Sequence, residues 1–285
     1  MNAAASLPAR TCRTSLGEVS TTEETVVPGC SASVAAQPTQ SPVGRRVAGT
    51  FSSPTGLAYD SSGGLYVTEW SAGRVTRIDA TGTRHLVTDK VRSPSGIAVG
   101  PDGTVYVASY SEGVVHRLRA DGGTEEFVRN LRTPAGLSIG KDGHLLIADR
   151  GLNQILRANA SGSTQVLVDG LATPVGVVEF PDATLVISNF AGGVVEVRPG
   201  GAKRELTKRL GAPAVGIVAD GASAVLVPDY SGTSVWRVTR EGEAALFIQE
   251  LQSPVAMAVS KDGSELAVGS WGDGSVRRYR FASAR

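Results

Sequence analysis

Three features of the sequence predict an all-β fold, namely a six-bladed β-propeller with four antiparallel strands in each blade. A phrase typified by residues 54–70, PTGLAYDSSGGLYVTEW, returns with a period of 40 residues. Each copy contains four short apolar runs that are separated by turn residues. A further segment, in register with the fourth strands and able to complete the last copy, stands before the first one. Self-similarity at this period, with four strands in each repeat, is typical of propeller blades.

The first strand of each copy is marked by a glycine. It recurs as Gly56, Gly96, Gly136, Gly176 and Gly216, and Ala256 takes the sixth place. A proline stands two residues earlier in five of the copies and slips by one position, to Pro213, in the fifth copy. We therefore expect blades that start near residues 54, 94, 134, 174, 214 and 254.

The remaining strands follow from the turns between the apolar runs. In the first copy the runs cover residues 56–59, 65–68, 75–78 and 85–87. Turns that contain glycine after Asp, Ser or Thr separate the first run from the second and the third from the fourth. Runs of this length, rich in Val, Ile, Leu and Tyr and punctuated by such turns, predict an antiparallel meander.

The ring is predicted to close through its N-terminal strand. The last copy, from Val255 to Phe281, supplies only three strands. Val47 stands 40 residues before Val87 and in register with the later fourth strands. We expect a strand at about residues 45–49 to pair with the last blade and remove the open sheet edges. The propeller domain then spans residues 45–285.

Residues 1–44 differ in composition from the rest of the chain. They are rich in Ala, Ser, Thr and Pro without a strand period, which predicts a flexible N-terminal tail. Residues 25–28, TVVP, resemble residues 225–228 and leave open a remnant of a seventh blade. Cys12 and Cys30 lie in this tail. Free thiols are favoured over a disulfide because no secretory signal is evident.

Composition limits the partners that we expect. No apolar run is long enough to span a bilayer, so we expect a soluble, cytoplasmic protein without membrane contact. The formal net charge is +1, which predicts no nucleic-acid partner. We expect a monomer whose partner is a small-molecule ligand or a peptide.

The wording of the copies, PxGLAxxxDGxLYV followed by EW and RVxRI, resembles several propeller families. These are the NHL repeat, the streptogramin (virginiamycin B) lyases, the gluconolactonase family and the YWTD propellers of lipoprotein receptors. The resemblance covers residues 45–281 and implies the propeller fold. The same architecture serves lactonases, lyases, synthases and binding modules, so the resemblance leaves the activity open.

The resemblance to gluconolactonases implies a metal site whose ligands include the Asn or Asp directly before the first-strand glycine. The residues at those positions here are Thr55, Ser95, Ala135, Val175, Val215 and Val255. None is a carboxylate or an amide, whereas calcium needs several oxygen ligands. We therefore predict no metal and no cofactor.

The resemblance to streptogramin lyases implies catalysis by a histidine and a glutamate, with magnesium, on the top face, where the second strands end. The chain has three histidines. His85 and His144 are expected near the opposite, bottom face, and His116 lies within a third strand. We therefore expect the histidines to be structural.

The second strand of each copy ends in a polar residue that is followed, in most copies, by an aromatic one. The pairs are Glu69/Trp70, Ser109/Tyr110, Asp149/Arg150, Asn189/Phe190, Asp229/Tyr230 and Ser270/Trp271. Aromatic area with a few polar groups favours organic ligands. The predicted ligand-binding residues are Trp70, Tyr110, Arg150, Asn189, Phe190, Tyr230 and Trp271.

The acids in these pairs are the candidate catalytic residues. Glu69, Asp149 and Asp229 alternate with neutral polar residues around the ring, and each is a candidate for proton transfer. The alternative is that a residue repeated in the blades serves the fold by accepting backbone hydrogen bonds at a turn. The aromatic residues have a matching alternative, which is packing between the blades.

These observations predict that the top of the propeller binds a small amphipathic organic metabolite. The enzymatic form of this hypothesis is a metal-independent lyase, cyclase or hydrolase in secondary metabolism or resistance. The alternative is a non-catalytic NHL-type scaffold that binds a peptide or a protein on the same face.

Overall fold

The computed structural model of the protein describes residues 44–47 and 49–281, and it confirms the predicted six-bladed β-propeller. Each of its six sheets contains four antiparallel strands. The described residues form no α-helix and one turn of 3-10 helix, Trp70–Ala72. None of their helical segments has the length and apolarity that crossing a bilayer requires. The predicted tail, apart from Gly44, lies outside the described residues.

The strands of blades 1 to 3 follow one another along the chain. Blade 1 contains β2 (Pro54–Tyr59), β3 (Leu65–Glu69), β4 (Arg74–Ile78) and β5 (Arg84–Thr88). Blade 2 contains β6 (Pro94–Val99), β7 (Val105–Ser109), β8 (Val114–Leu118) and β9 (Thr124–Val128). Blade 3 contains β10 (Pro134–Ile139), β11 (Leu145–Asp149), β12 (Gln154–Ala158) and β13 (Thr164–Val168).

The other half of the ring repeats this order and takes its last strand from the N-terminal side. Blade 4 contains β14 (Pro174–Glu179), β15 (Leu185–Asn189), β16 (Gly193–Val197) and β17 (Lys203–Thr207). Blade 5 contains β18 (Val218–Asp220), β19 (Ala224–Pro228), β20 (Val235–Thr239) and β21 (Ala244–Ile248). Blade 6 contains β22 (Pro254–Val259), β23 (Glu265–Ser270), β24 (Ser275–Arg280) and β1 (Arg45–Arg46).

The first strands of neighbouring blades touch backbone to backbone around the ring axis. A Cβ atom on Gly96 would lie 2.6 Å from the Ala135 carbonyl oxygen, and one on Gly136 would lie 2.2 Å from that of Val175. Such distances are far below van der Waals contact, so only glycine fits there. The repeating glycine is therefore required by the close approach of the inner strands.

Blade 6 keeps the same spacing by a compensating exchange. Ala256 stands where the other blades have glycine, and it pairs with Gly269 on the neighbouring strand. In blade 1 the equivalent pair is Gly56 with Thr68. In blade 6 the glycine therefore stands on the second strand, opposite Ala256, and the first strand carries alanine in its place.

Apolar side chains fill the spaces between neighbouring sheets. Between blades 3 and 4, for example, Leu146 and Ile155 pack against Val177 and Ile187, and all four are buried. Similar clusters lie between the other neighbouring blades. Fully burying one such side chain stabilises the fold by about 1.5–3 kcal/mol.

The closing strand is present but shorter than the predicted span of residues 45–49. Arg45 and Arg46 pair with β24, and the Val47 N–H donates to the Val276 carbonyl at 2.8 Å. Gly49 has a left-handed backbone (φ 79°), which turns the chain out of the strand. Phe51 then enters the core between blades 6 and 1.

Blade 5 begins later than the expected position near residue 214. Its first strand is Val218–Asp220, and Pro213 makes only an isolated bridge to Asp229. The Gly216 N–H instead donates to the Val255 carbonyl of blade 6 at 2.8 Å. The displaced proline thus delays the start of regular strand pairing in blade 5. The backbone at Gly216, just before β18, is hydrogen-bonded to blade 6 instead.

Deleting residues 1–50 should lower the melting temperature by about 5–10 °C relative to deleting residues 1–40, since the pairing of Arg45 and Arg46 with β24 and the Val47 hydrogen bond are lost. The longer deletion also exposes β24 as an unpaired edge. Thermal unfolding of both variants beside the full chain measures the difference. Equal melting temperatures for the two deletions would show that β1 does not close the ring.

Candidate functional site

The candidate site is a cavity of about 250 Å³ on the ring axis at the top face. Its wall contains one residue from each blade, which directly follows the second strand in five blades and comes two residues after it in blade 5. These rim residues are Trp70, Tyr110, Arg150, Phe190, Tyr230 and Trp271. The structure thus brings together six of the seven predicted ligand-binding residues. We call this space the axial cavity.

The same backbone hydrogen bond fixes every rim residue. The N–H of each one donates to a carbonyl in the loop that precedes the first strand of its own blade. These bonds are Trp70 to Ser53, Tyr110 to Ser93, Arg150 to Thr133, Phe190 to Thr173, Tyr230 to Ala212 and Trp271 to Ser253, at 2.9–3.2 Å. The repeated bond holds the backbone of the six rim residues in equivalent positions around the axis.

The floor of the axial cavity consists of the residues that precede the inner-strand glycines. They are Thr55, Ser95, Ala135, Val175, Val215 and Val255, together with Ala214. Thr55 and Ser95 are the only hydroxyl residues of this set, and both donate to backbone carbonyls. The floor is therefore mostly apolar and leaves few free polar groups for a ligand.

The rim side chains form one continuous ring of contacts. The ring centroids of Tyr110 and Trp70 are 5.0 Å apart, those of Trp70 and Trp271 6.2 Å, those of Trp271 and Tyr230 5.6 Å, and those of Tyr230 and Phe190 6.1 Å. Arg150 completes the circle between Phe190 and Tyr110. Its guanidinium carbon lies 4.8 Å from the Phe190 ring centroid.

Arg150 brings a positive charge into this aromatic wall. Its Nη1 donates to the Tyr110 hydroxyl oxygen at 3.1 Å. Among the described residues no carboxylate lies within ion-pair distance of Arg150. The Tyr110 hydroxyl oxygen accepts a hydrogen bond from Arg150, so the hydroxyl can still donate its own hydrogen to a ligand. The pair therefore presents a cation and a hydroxyl donor side by side.

The predicted catalytic acids are buried, and none of them is among the described residues that line the axial cavity. Asp149 accepts hydrogen bonds from the N–H groups of Arg132 and Thr133, at 2.9 and 3.1 Å. Asp229 accepts equivalent bonds from Gly211 and Ala212, at 3.0 and 2.9 Å. These contacts agree with the alternative in which the acids serve the fold by accepting backbone hydrogen bonds. A catalytic role for them remains a prediction.

Each acid clamps the loop that anchors its own rim residue. Asp149 holds the N–H of Thr133, and the carbonyl of Thr133 accepts the N–H of Arg150. Asp229 holds Ala212 in the same way, and the carbonyl of Ala212 accepts the N–H of Tyr230. The acids are thus positioning residues for the rim of the axial cavity.

Glu69 does the same in blade 1 with the help of side-chain donors. It accepts the Ser52 N–H at 2.9 Å, two hydrogen bonds from Arg74 and one from the Thr76 hydroxyl. Burial alone would raise the pKa of Glu69. The bonds from Arg74, Ser52 and Thr76 outweigh that effect and hold the pKa below its usual range. Glu69 is therefore a buried, ionised clamp.

The neutral residues of the alternate blades behave differently from the acids. Asn189, predicted to bind ligand, is buried away from the axial cavity, and its Oδ1 has no hydrogen-bond partner among the described residues. Ser109 lies 2.6 Å from Glu112, which also contacts His116 at 3.1 Å. Sequence reasoning missed Glu112. The sequence feature that could have identified it is an acid three residues after a second strand that does not itself end in an acid.

The family resemblance implied magnesium, and the axial cavity does not fit it. Among the described residues its lining contains hydroxyls, a guanidinium and aromatic rings but no carboxylate. Hard cations need several oxygen ligands, usually including carboxylates. No group of three or more His, Cys, Asp or Glu side chains within the described part of the chain is arranged to hold a metal.

Comparison with known proteins gives one family match and several similar folds. Residues 40–282 match the virginiamycin B lyase family. A gluconolactonase from Xanthomonas campestris is similar over 81% of this chain and 86% of that chain, with 20% identity and a TM-score of 0.72. No curated protein matches the chain.

Two lyase structures are also similar to this chain. A catalytically inactive virginiamycin B lyase from Staphylococcus aureus, solved with quinupristin, is 18% identical with a TM-score of 0.64, and 82% of each chain is covered. A streptogramin B lyase is 15% identical with a TM-score of 0.62, over 84% of this chain and 97% of that chain. At these identities the likeness shows a common fold.

Between pH 7 and pH 3 the variant Glu69→Gln should lose less of its free energy of unfolding than the unchanged protein does. The folded-state pKa of Glu69 is lowered, so its contribution is present above its ordinary pKa and is lost as pH falls below about 4.5. Denaturant unfolding at pH 7 and pH 3 measures this, with the exposed Glu241→Gln as the control. The same acid sensitivity in Glu69→Gln as in the unchanged protein would contradict the ionised clamp.

Proposed function

The chain belongs to the virginiamycin B lyase family, and on this premise we propose that it binds a small amphipathic organic anion in the axial cavity. The observation that carries the proposal is a single guanidinium, without a carboxylate partner among the described residues, in a wall that is otherwise aromatic. Anions gain charge-assisted hydrogen bonds from such a group, and apolar bodies gain contact area from the rings.

The apolar body of the ligand packs against Phe190, Tyr230 and Trp271. These three rings are consecutive in the circle of rim contacts and stand above Val175, Val215 and Val255 of the floor. The opposite side of the axial cavity has Thr55 and Ser95 in the floor. The asymmetry supports a ligand with one apolar side.

The anionic group of the ligand pairs with Arg150. A guanidinium offers several N–H donors in a fixed plane, and one of those of Arg150 is already used by Tyr110. The remaining donors suit a carboxylate, which can accept two hydrogen bonds at once. The Tyr110 hydroxyl supplies a further donor beside it.

Size limits the ligand to a compact molecule or to one arm of a larger one. The axial cavity has a volume of about 250 Å³, whereas sites for drug-sized ligands span roughly 300–1,000 Å³. A bicyclic aromatic acid is near this limit. A macrocyclic or peptide ligand would insert one side group and lie with its remainder on the rim.

The enzymatic form of the proposal is a metal-independent lyase, cyclase or hydrolase reaction on this ligand. Tyr110 and Tyr230 are the described lining residues with hydroxyls that are not held by the floor backbone. Tyr110 is oriented by Arg150, which makes it the preferred proton donor to a ligand bound at the guanidinium. The non-catalytic alternative is a scaffold that takes an acidic or aromatic side chain of a peptide at the same position.

A matched pair of probes tests the proposal. Indole-3-acetate and the uncharged indole-3-acetamide share one apolar body, and the acid should bind about tenfold tighter, since a hydrogen bond to a charged group contributes about 1.5–3 kcal/mol. Arg150→Gln should abolish the preference for the acid, whereas the exposed Glu241→Gln should retain it. Titration calorimetry gives the dissociation constants.

Removing the rim aromatics should weaken both probes. Tyr230→Ala and Trp271→Ala each lose one large apolar contact of about 1.5–3 kcal/mol, which corresponds to a tenfold or larger increase in Kd. Circular dichroism controls for folding. If both variants bind the two probes as the unchanged protein does, the ligand does not bind in the axial cavity.

A further inference from the structure

In two of the blades the third and fourth strands place opposite charges directly across from each other. In blade 2 Arg117 lies directly opposite Glu125, with the guanidinium 2.8 Å from the carboxylate. In blade 4 the signs are exchanged, and Glu196 lies opposite Arg204 at 3.1 Å. Each of these cross-strand pairs is neutral in sum and stabilises the sheet.

In blades 1, 3 and 5 the residue opposite the third-strand arginine is His85, Gln165 or Ala245. The arginine then takes a carboxylate from elsewhere. Arg77 pairs with Asp60 at 2.7 Å, Arg157 with Glu179 at 2.7 Å, and Arg237 with Asp220 at 2.5 Å. In each of blades 1 to 5 the charged residue of the third strand therefore has an opposite charge within 3.1 Å.

Blade 6 departs from this rule at the point where the ring closes. Arg45 of the closing strand lies directly opposite Arg278, and Arg46 lies opposite Arg277. Like charges that face each other across a strand pair destabilise it. Arg46 and Arg277 share Asp273, at 3.9 and 3.5 Å, which relieves the second pair. Arg45 has no carboxylate within ion-pair distance among the described residues.

A groove of about 440 Å³ opens beside the unrelieved pair, between blades 6 and 1. Four arginines line it, Arg45, Arg46, Arg278 and Arg280, together with Glu265 and the turn at Thr81 and Gly82. Arg46 is within ion-pair distance of Asp273, so the other three guanidinium groups face Glu265, the one carboxylate among the described lining residues. We call this space the closure groove.

Glu265 does not neutralise the closure groove. Its Oε1 accepts the Tyr59 hydroxyl at 2.6 Å and lies 3.5 Å from Arg278 Nε, and its Oε2 lies 3.3 Å from Arg280 Nε. Arg278 Nε and Nη2 are buried without a hydrogen-bond partner among the described residues. Glu265 therefore leaves the Arg278 guanidinium without a hydrogen-bonded counter-ion among the described residues.

The acidic groups near the closure groove are already engaged. Asp60, Lys261 and Asp262 line the adjoining space that also contains Arg278 and Arg280. Asp60 is held by Arg77, and Asp262 accepts hydrogen bonds from Ser260 and Ser264. With Arg45, Arg278 and Arg280 against Glu265, the groove keeps an excess of two positive charges.

We propose that the closure groove binds a small dianionic oxyanion of the phosphate type, either free or as a monoester. Its oxygen atoms accept hydrogen bonds from the guanidinium groups of Arg45, Arg278 and Arg280 that line the groove, since guanidinium groups match phosphate oxygens in geometry and charge. The anion joins Arg45 of the closing strand to Arg278 of β24. Binding there therefore stabilises the closed ring by linkage.

Thermal unfolding of the full chain in sodium phosphate and in sodium chloride of equal ionic strength tests the proposal. At a phosphate concentration about a hundred times its Kd, the melting temperature should rise by about 5–10 °C. Arg278→Gln should abolish this shift. Arg237→Gln, at the equivalent register in blade 5, should keep it even if that variant melts at a lower temperature.

The variant Arg45→Glu separates the charge argument from a general loss of folding. It copies the opposite-charge pair of blade 2, so it should melt above the unchanged protein in chloride and should not respond to phosphate. Calorimetry with inorganic phosphate and with glycerol 3-phosphate distinguishes the two sources, because tighter binding of the ester indicates an esterified ligand. Equal melting of the unchanged protein in phosphate and chloride, or a phosphate response retained by Arg278→Gln, would overturn the proposal.

Discussion

The approach of the inner strands at the axis is the constraint on which the rest of the structure depends. Gly96 and Gly136 lie where any Cβ atom would stand less than 3 Å from the backbone of the next blade. The first strands can therefore lie against one another and leave only a narrow axis. The residues just before these glycines, such as Ala135 and Val175, form the floor of the axial cavity. The site is thus a consequence of how tightly the ring is built.

The tight ring also explains the properties of the rim. Six residues in equivalent positions are brought close enough that their side chains touch around the circle. Each is anchored by a loop carbonyl, and in three blades a buried acid such as Asp149 holds that loop. Arg150 is the exception to the aromatic pattern, and its charge is the basis of the proposed preference for an anion.

Repetition determined what could be predicted from the sequence. The period of 40 residues located the blades and placed six rim residues in one circle, because equivalent positions of a closed ring converge on its axis. The period could not decide whether the acids face the axial cavity or bind the backbone of a loop. The loop groups that bind Asp149 and Asp229 are backbone N–H groups, which no residue type in the sequence marks. The closing strand ended early because of the left-handed Gly49, and blade 5 began late because Pro213 had slipped. Such local changes in backbone conformation do not alter the 40-residue period, so the period does not reveal them.

Unfolding of Gly136→Ala beside Gly63→Ala tests the central claim most directly. Both glycines would acquire one methyl group, but only Gly136 has a backbone oxygen 2.2 Å from the new atom, whereas Gly63 (φ 80°) has nothing within 4 Å. Steric exclusion at the axis predicts a loss of about 3 kcal/mol in the free energy of unfolding for Gly136→Ala. Conformational strain alone predicts a loss of about 1 kcal/mol for Gly63→Ala. An equal or smaller loss for Gly136→Ala would contradict the claim that the inner strands meet backbone to backbone.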